Sequence, residues 1–322
     1  MKTRLAIGWG VMLVLVLMAS PYAVAYPTKP VILMVGYPAG GSTDIGARVV
    51  AALAEKEMGQ PLVVVNKAGA GGQIGWTELA RQKPDGYYIG FINLPGINTV
   101  ILDPERKATF DIDSFTPIIN QVSDPGVIYV KPDSPYKNLK DLIDDARRRP
   151  GEIRAGTTGI LSDDHLAILM LEDAAKIKLR IVHFDGDSPQ VTALMGGQID
   201  VSFLNVGGLT PRVKAGQLRT LVVMDREKCK FYPDAPTSVE LGYPTVLSSS
   251  SRGIAGPKGL PEPIVKSLQA TFKKAMEDPE HVKNMDKAGL GIKIMMGDEY
   301  VKYIRNVQEK VKKLVDEARK AR

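Results

Sequence analysis

The sequence predicts an α/β fold, and three observations carry the prediction. Short β-compatible apolar runs alternate with helical patterns along most of the chain. The first two of these runs end in glycine-rich turns that open directly into helices, as strands of an open parallel sheet do. The length adds a third: removing residues 1–25 as a leader takes 25 from 322 and leaves 297, enough for two domains of ordinary size.

The leader is read from its pattern. Lys2 and Arg4 form a basic start, Leu5 to Met18 an apolar core, and Ala23-Val24-Ala25 a small-x-small cleavage site before Tyr26. The apolar core is short for a membrane span, and no Cys follows the cleavage site to take a lipid. No later segment is long and apolar enough to cross a bilayer, so a soluble protein exported to the periplasm is expected. Loss of Lys2 and Arg4 lowers the net charge from +6 to +4. That bias steers small anions and is too weak for a nucleic-acid partner. Cys229 is the sole cysteine, which excludes a disulfide framework and a cysteine-rich metal site.

Val31 to Val35 is the first strand, followed by Gly36-Tyr37-Pro38-Ala39-Gly40-Gly41-Ser42-Thr43-Asp44 and a helix. Ser42 or Thr43 is predicted as N-cap, with Ile45, Val49, Ala52 and Leu53 on the apolar face and Gly59 as the stop. Such a turn presents free N–H groups and a positive dipole end, which suit a carboxylate; taken alone, a tight βα turn without ligand is the simpler reading. Leu62 to Asn66 is a second buried strand, ending in Lys67-Ala68-Gly69-Ala70-Gly71-Gly72-Gln73-Ile74-Gly75 and a helix with Trp76, Leu79 and Ala80. Ile74 replaces the third glycine of a dinucleotide fingerprint, and no Lys follows the first turn to make a phosphate loop. No cofactor is expected.

These segments, in order, resemble the Bug receptors, also called the TctC family, the substrate-binding proteins of tripartite tricarboxylate transporters. The likeness rests on Tyr26-Pro27-Thr28-Lys29-Pro30, the Pro38–Asp44 turn with Ala47-Arg48, Asn66 to Gly75, and Pro84-Asp85-Gly86-Tyr87. It continues through Pro150-Gly151, His165-Leu166, Gly196-Gly197-Gln198-Ile199-Asp200, Lys214 to Arg219, Pro236-Thr237 and Ala255-Gly256-Pro257. The resemblance implies a two-domain clamshell of the periplasmic-binding-protein type, each domain a mainly parallel sheet flanked by helices, joined by two crossing strands.

The remaining elements fit that plan. Tyr88 to Asn93 is a strand with Asn93-Leu94-Pro95-Gly96 as its exit. Phe115 to Val130 holds two apolar runs broken at Ser123-Asp124-Pro125-Gly126, read as the first crossing. Leu139 to Arg148 is a helix closed by Pro150-Gly151. Strands follow at Ile153–Gly156, Ile181–Phe184, Val201–Asn205 and Leu218–Met224. The chain through Gly253-Ile254-Ala255 returns, ending in helices that start near Pro263 and Asp298. Domain 1 is therefore placed at 26–126 and 250–322, and domain 2 at 127–249.

The resemblance implies that one loop from each domain grips the ligand's carboxylate. Carried over by position, Tyr37, Ala39, Gly40, Ser42 and Thr43 line one side, with Asn93 beside them. Thr157, Thr158, Leu161 and Ser162 line the other, and Asn205 closes a strand end nearby. Asp44 reads as a first-turn dipole partner or water anchor, since an ionised Asp touching a carboxylate repels it. His165 reads as a helix-start residue bonding its own loop, in position to orient Ser162. Two positions depart from the family pattern: Asp185, where a Lys is usual, and Arg252, in place of an aromatic residue. Arg252 either forks a second ligand carboxylate or makes a hinge salt bridge.

No catalytic set stands out. His165, His183 and His281 are scattered, and Gly186-Asp187-Ser188-Pro189-Gln190 lacks the closing glycine of a nucleophile elbow. Ser162-Asp163-Asp164-His165 holds triad residue types consecutively, and adjacent helix positions point apart. No metal-ligand cluster is visible. The expected function is a solute-binding protein, acting as a monomer, that delivers a small carboxylate to TctA/TctB-like membrane subunits. A periplasmic sensor docking on a signalling partner is the alternative, and a secreted hydrolase a distant third.

Overall fold

The structure is a computed structural model that describes residues 26–320; the leader assigned to residues 1–25 lies outside them. In chain order the elements are β1 (Val31–Val35), α1 (Ser42–Met58), β2 (Leu62–Asn66), α2 (Gln73–Ala80), β3 (Tyr88–Leu94), α3 (Gly96–Leu102), β4 (Phe115–Val130) and α4 (Leu139–Arg148). Then come β5 (Arg154–Thr157), α5 (Asp163–Ala175), β6 (Arg180–His183), α6 (Asp187–Met195), β7 (Val201–Asn205), α7 (Thr210–Lys214) and β8 (Arg219–Val223). The chain closes with β9 (Ser249–Pro257), α8 (Glu262–Glu277), α9 (Pro279–Ala288), β10 (Ile292–Met296) and α10 (Gly297–Lys320).

Strand order runs β2-β1-β3-β9-β4-β7-β5-β6, with β8 and β10 both pairing on β4. β1 pairs parallel with β2 and β3, and β5 pairs parallel with β6 and β7. β4 is the element common to both groups. Its residues Phe115 to Pro125 pair antiparallel with β9, while Gly126 to Val130 pair antiparallel with β7 and β8. Each parallel set thus gains antiparallel partners from the strands that connect the two. The apolar runs either side of Ser123 to Gly126 form one strand, with pairing irregularities along it rather than a break at Pro125.

Each side has its own core. Val31, Leu33, Ile89, Phe91, Ile119 and Ile254 pack with α1 and α8, while Trp76 is fully buried beneath β3 and donates Nε1–H to the Phe91 carbonyl at 3.0 Å. Ile128, Val130, Ala155, Val201, Phe203 and Val222 build the second. The face of α1 differs from the expected one. Gly46, Ala47, Val50, Ala51, Leu53 and Ala54 face the sheet, Ile45 and Val49 are half-buried against α9, and Ala52 is exposed. Small residues suit the inner face because they let the helix approach the sheet closely. Leu94 and Ile97 are buried in the core with Trp76.

Gly59 ends α1 in the left-handed region at φ 65°, and its N–H donates to the Glu55 carbonyl. A Cβ there meets no atom within 4 Å, so only backbone strain opposes a side chain. Gly59→Ala is expected to cost about 1 kcal/mol in urea denaturation, with Gly59→Asn costing less. An unchanged midpoint for the alanine variant contradicts this capping role.

α10 belongs to both sides. Tyr300 and Ile304 pack with Trp76 and Phe115, whereas Val311, Val315 and Ala318 pack against Leu161 and Leu166. Among the described residues no helix is long and apolar enough to cross a membrane.

Candidate functional site

The site forms where loops from the two parallel sets meet over the crossing strands. β1 runs into Tyr37 to Gly41, and Gly41, in extended backbone, is the N-cap of α1. Ser42, one of the two residues expected to cap, is instead the first helical residue, and Thr43 follows it. Glycine has no side chain to satisfy the first-turn amides, so they face the cleft. Asp187, the first residue of α6, meets them: its Oδ2 accepts from Ser42 N–H at 2.8 Å and from the Ser42 hydroxyl. Beside it the Ser188 hydroxyl donates to the Ala39 carbonyl at 3.1 Å. The start of α1 therefore holds a carboxylate, supplied by the chain itself.

Asp44 organises the same turn from beneath. It accepts from Gly40 N–H at 2.9 Å, from Asn66 Nδ2 at 2.9 Å, and from Arg48. Burial pushes its carboxyl up, but Arg48, the Gly40 amide and Asn66 outweigh that and hold it below the usual range. Asn93 lies within β3 rather than in a loop, and its Nδ2 donates to Thr43 Oγ1 at 2.8 Å.

The second loop follows β5. Ser162 is the N-cap of α5 and accepts from His165 N–H at 3.2 Å. His165 Nδ1 accepts from Leu161 N–H at 2.8 Å, so this ring braces its own loop. The Thr158 hydroxyl donates to Asp164 at 2.6 Å, and Asp163 accepts from Asn205 Nδ2 at 2.9 Å. Ser162, Asp163, Asp164 and His165 thus make separate contacts, as adjacent helix-start positions should. Thr157 Oγ1 lies 2.8 Å from His183 Nδ1, whose ring packs on His165 at 4.8 Å between centroids.

Beneath both loops lies a buried ion pair. Arg252 on β9 donates Nη1–H to Asp124 at 2.7 Å and Nη2–H to Asn205 at 3.0 Å. The guanidinium is 3% exposed and Asp124 not at all. Gly207 brings its N–H within 3.1 Å of both Asp124 oxygens, and a Cβ there would sit 2.5 Å from Oδ2. Burial pushes Asp124 up to about 6 despite Arg252. Burial also lowers Arg252, but Asp124, Asp187 and Asp163 more than offset it and hold its proton firmly. Asp163 and Asp164 are both raised by burial, and Asp164 further by the charge of Asp163. Burial raises Tyr37 as well, keeping it a neutral hydroxyl.

A cavity of about 20 Å³ remains at the centre, room for about one water. Of the expected residues, Tyr37, Ser42, Thr43, Asn93, Thr158, Asn205 and Arg252 line it, together with Gly41, Asp163, Asp187 and Ser250. Ser162 lines an adjoining void, and Gly40 an outer hollow on the other side of Ser42. The structure does not bring Ala39, Thr157 or Leu161 to the central cavity: Ala39 offers only its carbonyl to Ser188, Thr157 bonds within its turn, and Leu161 is buried against α10. Asp185 is exposed outside it. Arg252 takes the hinge salt-bridge arrangement. Asp187, Asp163 and Ser250 went unremarked as lining residues, although Gly186-Asp187 after a strand repeats the strand–Gly–helix signal of the first turn. A far larger hollow, about 940 Å³, lies between α5 and α10 near Leu166, Met170 and Leu314, and none of the expected site residues lines it. Size does not locate the site because the cleft is shut. Among the described residues no acid, His and Cys cluster is arranged to hold a metal.

Comparison with known proteins agrees with this architecture. The model of the tripartite tricarboxylate transporter family receptor, TctC, matches residues 46–319. The chain is 30% identical over 303 residues to the UPF0065 protein in the gbd 5' region of Cupriavidus necator, covering 92% of this chain and 90% of that one. The periplasmic binding protein BugD superposes with a TM-score of 0.82 at 28% identity, over 92% of this chain and 98% of its own. The R. palustris protein Rpa4515 with adipate gives 0.85 at 26% identity, over 90% and 97%.

Proposed function

Because the chain belongs to the tripartite tricarboxylate transporter receptor family, whose members are solute-binding proteins rather than enzymes, we propose that it captures a small carboxylate in the periplasm and passes it to a TctA/TctB-like transporter. The capture is made between residues 26–126 with 250–322 on one side and 127–249 on the other. One observation carries this reading: the first turn of α1 already binds a carboxylate, that of Asp187, through the Ser42 amide and hydroxyl. A carboxylate taken from water costs several kcal/mol unless donors replace its hydration, and oriented first-turn amides do so at the positive end of a helix. The adipate bound by Rpa4515 supports the ligand class. Opening exposes the α1 start, the solute carboxylate takes it, and closure engages Thr158 and Asn205 from the other side. Closure follows binding only because the shut form offers more contacts than the open one.

The test is a thermal-shift screen of the protein against mono-, di- and tricarboxylates and amino acids. A ligand at a hundred times its dissociation constant should stabilise the fold by about 2.7 kcal/mol. A response confined to one carboxylate class supports capture; uniform silence across every carboxylate at millimolar concentration rejects it.

A further inference from the structure

Asp187 does more in the cleft than stand in for a ligand. A solute carboxylate that docks on Ser42 must displace it, since the central cavity of about 20 Å³ has no room for both. The displaced side chain stays on the wall of the cleft, because α6 is anchored there by the Ser188 to Ala39 bond and by Gly186 against Pro38. It then shares that wall with Asp163, and with the solute's own negative charge. Arg252, the one cation lining the central cavity, already serves Asp124 and Asn205. Asn93, only 6% exposed, adds an acceptor, Oδ1, that has no partner. Of the hydroxyls on that wall, Tyr37 donates to the Gly71 carbonyl and Thr158 to Asp164, which leaves the neutral donors of Thr43 and Ser250, and no further cation, to face two carboxylates. An anion with a second carboxylate worsens that imbalance, whereas an ammonium group, with three donors and a positive charge, removes it.

Resting on the carboxylate-capture reading above, we infer that Asp187 selects solutes that carry an ammonium group beside their carboxylate, so that the cleft takes short amino acids of zero or positive net charge in preference to dicarboxylates. The solute carboxylate replaces Asp187 at Ser42, and the solute ammonium pairs with Asp187, aided by Asp163 and Asn93.

Isothermal titration with chain-matched probes tests this. Glutarate, 5-aminopentanoate and 1,5-diaminopentane form one set; succinate, 4-aminobutanoate and 1,4-diaminobutane form a shorter one. They are titrated into the wild-type protein and into Asp187→Asn, which keeps the shape and removes the charge. The wild type should bind the amino acid at least about tenfold tighter than the dicarboxylate of equal length, and Asp187→Asn should erase or invert that preference. Asp187→Ser, folded by its thermal transition, should behave likewise. Dicarboxylate binding as tight as amino-acid binding in the wild type, or equal changes for both in the variants, overturns the selection while leaving carboxylate capture intact. Binding of the diamine alone removes carboxylate capture and keeps Asp187 as a cation site, which also overturns the two-group solute. No heat from any probe with any protein overturns the selection, and carboxylate capture then stands or falls on the wider thermal-shift panel.

Discussion

Arg252→Ala should destabilise the protein by about 3–5 kcal/mol at pH 7.5, the cost of leaving a buried carboxylate without its counter-charge. Asp124 is fully buried, and its remaining donors are the Gly207 amide and no other cation. Two features separate this from ordinary cavity formation. The loss should shrink as pH falls, because Asp124 can take a proton and shed its charge, whereas a cavity is indifferent to pH. Replacing both partners by apolar residues, Arg252→Leu with Asp124→Leu, should recover part of the loss, although Gly207 then keeps an unmet amide. Urea denaturation at pH 7.5 and pH 5 measures both. A loss below about 1 kcal/mol, or one that is equal at the two pH values, shows that Asp124 finds another partner and that the pair is not the ionic core of the crossing.

Acidification should stabilise the wild type. Asp124 titrates near pH 6 in the folded protein and near 3.8 when exposed, so between those values the native state holds a proton that the unfolded chain has released. Stability from this group is complete below pH 3.8 and is lost as pH rises through 6, a difference of about 3 kcal/mol by the usual conversion. Asp163 and Asp164 are shifted in the same direction and add with the same sign. His281, which burial holds neutral, opposes the rise below its unfolded value of 6.5, and Asp44 and Asp200, held below the ordinary carboxylate range, oppose it at lower pH, their contribution falling away beneath their unfolded values. With three raised carboxyls set against one imidazole, the melting temperature should be higher at pH 5 than at pH 7. Asp124→Asn should flatten the rise between pH 7 and pH 5. A wild-type melting temperature that falls steadily from pH 7.5 downward contradicts the assignment.

Much of the architecture was readable because its signals are local. Val201–Asn205 is an apolar run between turns, and α4 begins where Asn138 accepts from Asp141 N–H and ends before Pro150-Gly151. The family likeness fixed the order in which such pieces assemble, and the first turn stood out as a glycine-rich link between a strand and a helix. What escaped is non-local or weakly patterned. α9 is mostly polar outside, with His281 and Met285 its buried residues, and β10 is only five residues long between two helices. Asp187 meets Ser42 across 145 positions and Arg252 meets Asp124 across 128. No spacing rule links residues so far apart, so Arg252 could be placed at the return crossing but not given its partner. The capping error at Ser42 has the same origin: its hydroxyl faces a carboxylate from a distant helix, and that partner outcompetes its own backbone.

The last helix changes the mechanics of opening. Two halves joined only at β4 and β9 could swing about them like leaves on a spindle. Here the halves also touch elsewhere: Asp187 on Ser42 at the mouth, the end of α10 on Leu161 and Leu166 at the flank, and the Gly208 N–H on the Ala288 carbonyl, with Lys230 on Asp286, beside α9. With footholds spread around the crossing strands, the leaves cannot rock while all of them are planted. The mouth contact is polar and water can take it over; the flank contact is apolar, and parting it wets hydrocarbon. A rotation that pivots on the flank, peeling the mouth first and sliding α10 rather than lifting it, is therefore the path of least work.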